Sequence, residues 1–234
     1  MFIANIRCLF GIPFIFRVYS SLFFFVQRNF VTFAIQWKNL EKFMDELMKE
    51  DIRKACEVMQ RGGVILYPTD TIWGIGCDAT NAEAVKRVYE IKKRADSKAM
   101  LVLVDNAVKV DFYVNEPPEV AFDLIECATK PMTIIYDDAR NLAPNLLAED
   151  GSVGIRITQE PFTKALCEQL HRPIVSTSAN FSGEPAAKIF SDICPELLEA
   201  VDYVCEFRRD DTTSHQPSAI VKIDEKERIT IIRS

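Results

Sequence analysis

The sequence predicts an α/β fold: one domain over residues 44–234, built on a twisted, mixed sheet of roughly seven strands flanked by helices. Three observations lead there. Short runs rich in Val, Ile and Leu alternate with segments whose apolar residues recur at a helical period. A content of 48% hydrophobic and 26% charged residues is that of an ordinary globular domain. No internal repeat or low-complexity linker interrupts residues 44–234.

The elements follow in order. Residues 45–61 form an acidic-first amphipathic helix closed by Gly62 and Gly63, and GVILY makes the first strand, which Pro68 ends because it cannot donate to a ladder. Asn81 caps AEAVKRVYEIKKR, in which Val85, Val88, Tyr89 and Lys92 share one face. AMLVLV is a strand, PPEVAFDLIECA a helix opened by proline, and MTIIY a strand. SVGIRI, EPFTKALCEQL and RPIVST continue as strand, helix, strand, and YVCEF, SAIVKI and RITII supply the last strands. Between the first strand and Asn81, YPTDTIWGIGCD places two threonines, an aspartate and two glycines at a strand's carboxyl end. Such a shaped loop suits a small polar ligand.

Residues 1–43 are different in kind. They contain ten of the chain's sixteen phenylalanines. Arg17 and Arg28 leave too short an uncharged stretch between them for the ~20 apolar residues of a spanning helix. No clear small-residue cleavage site marks a signal peptide. The simplest expectation is a mis-assigned start, with translation beginning at Met44; an interfacial anchor is the rival.

Seven widely spaced cysteines without a C-x-x-C pair argue against a disulfide scaffold or zinc ribbon and for a reducing, cytoplasmic setting. Two histidines make a histidine-rich metal site improbable, whereas magnesium carried in on a nucleotide needs little protein ligation. The net charge is −6; the first 40 residues carry four basic residues and no acid, so the remainder carries −10. That disfavours non-specific nucleic-acid binding. Within this acidic body, Lys86, Arg87, Lys92, Lys93, Arg94 and Lys98 form a basic island against Glu90 and Asp96 alone.

YPTDTIWGIGCD, IKKR with Lys98, VGIRI and STSANFSGEP occur in that order, and together they closely resemble the YrdC/TsaC family of L-threonylcarbamoyladenylate synthases. The resemblance spans about residues 48–233 and fits the short, single-domain form. It implies a fold with a concave, positively charged cavity. It also implies a reaction in which L-threonine, bicarbonate and ATP give threonylcarbamoyl-AMP and pyrophosphate, for a downstream transferase complex that modifies tRNA. Such chemistry needs positioning and charge stabilisation, not a protein nucleophile.

By resemblance, Lys92 and Arg94 form the catalytic K-x-R, and Arg94, Lys98, Ser152, Ser178, Asn180 and Arg233 contact ATP, with Mg2+ accompanying it. Thr71, Arg156, Ser176 and Ser218 are implied at the threonine site, Arg156 as a planar fork of donors for the carboxylate. The plainer readings are a solvated helix face for Lys86, Arg87 and Lys93, an Asx turn for Asn180 and a surface strand position for Arg156. Ala95, Ala99 and Thr158 stand where the family usually has proline, and Trp73 where it has tyrosine; these changes bear on loop geometry, since no donor or charge is lost.

Two other functions remain open on the sequence. A non-enzymatic RNA-binding module of the same fold would use a basic cavity, and weak tRNA contact is compatible with either reading. A carbamoyl-transfer domain of the hydrogenase-maturation type shares the fold but sits in longer chains. Stable membrane association is not expected.

Overall fold

Alternation along each strand decides which side chains meet which helices. In the computed structural model, which describes residues 42, 44–93, 100–213, 215–224 and 227–234, two compact units divide the chain, Met1–Glu46 and Leu47–Ser234. Of the first, the described residues 42 and 44–46 are helical. The expectations for residues 1–41 and 43 lie outside the described residues, as do those for 94–99.

The second unit begins with helix α1 (residues 47–60), whose Ile52, Ala55, Cys56 and Met59 form one buried stripe at helical spacing. Gly62, at φ +80°, and Gly63 close it by donating to the carbonyls of Met59 and Val58. Then come β1 (Ile65–Tyr67), β2 (Gly74–Gly76), α2 (Ala82–Lys92), β3 (Leu101–Val104), α3 (Val110–Tyr113), α4 (Glu119–Cys127), β4 (Met132–Tyr136), β5 (Val153–Ile157), α5 (Pro161–Leu170), β6 (Ile174–Ser178), α6 (Pro195–Ala200), β7 (Tyr203–Val204), β8 (Ala219–Ile223) and β9 (Ile229–Arg233). The expected cap is present: Asn81 accepts from the amides of Glu83 and Ala84.

The strands form one mixed sheet in the order β7-β1-β2-β6-β3-β5-β4-β8-β9. Parallel pairing joins β1 to β7, β3 to β5 and β4 to β8; the other neighbours are antiparallel. Nine strands among the described residues exceed the roughly seven expected, partly because β2 was read as loop. Its sequence GIG lacks the alternating side chains that signal a strand, yet backbone pairing with β1 and β6 needs none. The glycine there answers a packing demand: a Cβ on Gly76 would lie 2.0 Å from the Val175 carbonyl oxygen.

Period-two alternation splits the core. Leu66, Val102, Val104 and Val175 pack with α2, α3 and α4 on one face, while Ile65, Tyr67, Leu103 and Ile174 pack with α1 and α5 on the other. Asp51 locks α1 in place, accepting from the Tyr203 hydroxyl at 2.6 Å and from the amides of Glu206 and Phe207 at 2.8 and 2.7 Å. The α1/α5 layer covers β1, β6 and the end of β3. Over β5, β4 and β8 the same sheet face is left open to a cavity lined by Gly154, Arg156, Thr133, Ile135 and Ile220.

Gly76→Ala must push β2 away from β6, so a loss of about 1–3 kcal/mol is expected. Urea unfolding of the variant checks this; an unchanged midpoint would show that the contact relaxes freely.

Candidate functional site

The open sheet face forms the floor of a cavity of about 410 Å3. Seven of the residues singled out in the sequence line it: Thr71, Ser152, Arg156, Ser176, Ser178, Ser218 and Arg233. They come from five places in the chain, so only the sheet order brings them together. Ser176 and Ser178 lie two apart on β6 and Arg156 lies on β5 opposite Leu103, each facing the cavity through strand alternation. No carboxylate lines this cavity among the described residues, whereas two guanidinium groups do.

The Thr71 loop is shaped by its own hydroxyls. Thr69 donates its hydroxyl proton to the Ile72 carbonyl at 2.7 Å and accepts from the Thr71 amide at 3.1 Å. The two threonine hydroxyls are 3.0 Å apart. Since the Thr69 proton is committed, Thr71 is the donor of that pair and keeps its lone pairs for the cavity. Thr163 on α5 and Arg208 donate to the Pro68 and Thr69 carbonyls, fixing the loop from outside.

Arg156 is 3% exposed and its Nη2 lies 2.9 Å from Asp70 Oδ1. Burial pushes the Asp70 carboxyl above its ordinary value, and the neighbouring guanidinium opposes that rise. Arg233 on β9 donates through Nε to the Ser218 carbonyl at 3.0 Å, and the Ser218 hydroxyl is 2.9 Å from that of Thr133. Ser152 donates its hydroxyl to Asp150 at 2.6 Å and its amide to the same oxygen; these bonds, aided by Lys222, hold the Asp150 carboxyl down at about 2.

Lys92 differs from the picture of a cation facing solvent. Helical spacing puts it on the buried face of α2, as expected, and its ammonium donates to the carbonyls of Ser178 and Asn180, the latter at 2.6 Å. The Lys92 carbonyl accepts from the Ser182 amide. Lys92 thus ties the end of α2 to the loop after β6. Asn180 turns its amide nitrogen to the carbonyls of Phe181 and Glu184, the local-turn geometry, and does not line the cavity.

The described part of the basic island is not a uniform patch. Lys86 pairs along the helix with Glu90, Arg87 makes two bonds to Asp202, and Lys93 sits over the Phe181 ring. Arg94 and Lys98 lie outside the described residues.

Two further residues enter the site that sequence reading left aside. Asp70 was visible as a carboxylate between two threonines, and Thr133 as the polar residue in MTIIY. Neither had a partner that spacing alone could name.

An α/β protein whose mixed sheet floors a hydroxyl-lined, cationic cavity belongs to the class that binds small anionic or nucleotide ligands. The particular family follows from comparison. The family model of Sua5, YciO and YrdC, described as "Telomere recombination", matches residues 57–234, and the chain belongs to this family. The threonylcarbamoyl-AMP synthase of Pseudoalteromonas translucida is 31% identical over 172 residues, 72% of this chain and 91% of that protein. P. abyssi Sua5 complexed with L-threonine superposes with a TM-score of 0.70 at 21% identity, over 78% of this chain and 53% of that one. E. coli YciO gives 0.68 at 24%, over 78% and 88%. These two structures bear on the fold.

Lys92→Met leaves the Ser178 and Asn180 carbonyls without their charged donor. A loss of about 1–3 kcal/mol is expected in denaturant unfolding. Unaltered stability would mean that the loop holds itself.

Proposed function

We propose that the chain is an L-threonylcarbamoyl-AMP synthase, making threonylcarbamoyl-AMP and pyrophosphate from L-threonine, bicarbonate and ATP. The observation that carries this reading is the convergence of hydroxyls and two guanidinium groups from five separated segments on one cavity without a lining carboxylate. Relatives that carry the synthase name match this chain over nearly their whole length.

The chemistry follows from the residue types. The threonine amine takes up carbon dioxide from bicarbonate, with loss of water, to give a carbamate. A carbamate oxygen then bonds to the α-phosphorus of ATP, the bond to the bridging oxygen breaks, and pyrophosphate leaves with the electron pair. Arg156 receives the threonine carboxylate, and Thr71, with free lone pairs, accepts from its amine; Ser176 and Ser218 complete that end. Ser152, Ser178 and Arg233, with Arg94 and Lys98, take the nucleotide. For Lys92 and Asn180, the bonds within the loop support a role in holding Ser178 in place. The hydroxyl and guanidinium donors of the cavity do not make a magnesium site, so the ion is part of the nucleotide substrate.

The product serves a transferase complex that modifies tRNA, in the cytoplasm, with weak tRNA contact at most. A charge of −10 beyond the first 40 residues speaks against an RNA-binding module as the primary function. Among the described residues no helix is long and apolar enough to cross a membrane.

Pyrophosphate release from ATP should require both L-threonine and bicarbonate. A coupled phosphate assay of the full chain, omitting each in turn, tests this. Equal release without threonine would remove the synthase reading.

A further inference from the structure

The steps above use Arg156 but leave its buried partner Asp70 without a part, and the form of the pair is odd for a stabilising device. Both side chains are at least nine-tenths buried; Arg156 Nε has no hydrogen-bond partner among the described residues, and Asp70 Oδ1 meets Arg156 Nη2 at 2.9 Å as an ion pair without hydrogen-bond alignment. Desolvating two charges offsets most of their attraction, so an ion pair left half-satisfied contributes little to folding. Its geometry has a different use. A guanidinium on a flexible stem has several ways to present its fork, and one corner fixed by a carboxylate leaves few.

Asp70 is well placed to do this. Its loop is fixed by Thr69, Thr163 and Arg208, and its neighbour Thr71 lines the cavity. One short loop therefore sets both the Thr71 hydroxyl and the orientation of the Arg156 fork. The unpartnered Nε is buried, so its desolvation is uncompensated and the pair adds little to folding.

We propose that Asp70 is the positioning residue of the amino-acid subsite: its carboxylate holds the Nη2 corner of Arg156 and so directs the rest of the fork at the carboxylate of the incoming α-amino acid. The same carboxylate also neutralises a buried guanidinium. This rests on the reading that Arg156 receives the threonine carboxylate.

The test is calorimetric titration of L-threonine into four folded full-length proteins: wild type, Asp70→Asn, Arg156→Ala and the double variant. Asp70→Asn should weaken threonine roughly tenfold, leave ATP affinity unchanged, and have no further effect once Arg156 is alanine. A purely structural role for Asp70 would instead give the same fractional loss in both backgrounds, which overturns the inference. So does unchanged affinity in Asp70→Asn where Arg156→Ala weakens binding. Unchanged affinity in Arg156→Ala removes the assignment of Arg156 itself, and this inference with it. If Asp70→Asn does not fold, Asp70→Ser replaces it; failure of both to fold assigns Asp70 to folding and overturns the positioning role.

Discussion

A guanidinium at 3% exposure on a sheet face is costly unless something meets it, and the arrangement of the molecule around Arg156 answers that demand. Strand β5 runs beside β3 and β4, so Arg156 points to the same face as Leu103, where α5 packs. Were that layer continuous over β5, the charge would be enclosed by apolar side chains. Instead the layer stops, the cavity begins, and a carboxylate from the loop after β1, which itself lines the smaller neighbouring cavity, meets the guanidinium. The open face and the buried charge are two aspects of one constraint.

The same constraint explains why the surrounding loops are held so firmly. Subsites assembled from separated segments keep their geometry only if each segment is fixed independently. The threonine loop is closed by Thr69 and tied to Thr163 and Arg208; the loop after β6 is held by the Lys92 ammonium; Ser218 is held by Thr133 and Arg233. These ties are hydrogen bonds to backbone carbonyls or between hydroxyls, and apart from Lys92 and the two arginines they place no charge near the cavity.

Much of this was legible in the sequence because periodicity carries direction. The 3.6-residue pattern of AEAVKRVYEIKKR placed Lys92 with Val85, Val88 and Tyr89 on one face, and that face is buried. Alternation in VGIRI set Arg156 against Ile155 and Ile157, and that too is how the strand lies. What periodicity cannot supply is the identity of a distant partner. That the Lys92 ammonium would meet carbonyls 86 and 88 residues away, and not open cavity, depends on tertiary packing. Strand β2 was missed for a different reason: GIG has almost no side chains to alternate, and its place in the sheet is set by how closely another backbone can approach.

The central claim is that the Arg156 fork, held by Asp70, is the anchor for an α-amino acid carboxylate. A crystal structure of the protein with L-threonine bound addresses it most directly. The account predicts a carboxylate oxygen within about 3.2 Å of an Arg156 nitrogen, with Asp70 still on the opposite corner of the guanidinium. Threonine bound with its carboxylate on Arg233 instead, or seated in the smaller cavity of about 160 Å3 beneath α4, would contradict it.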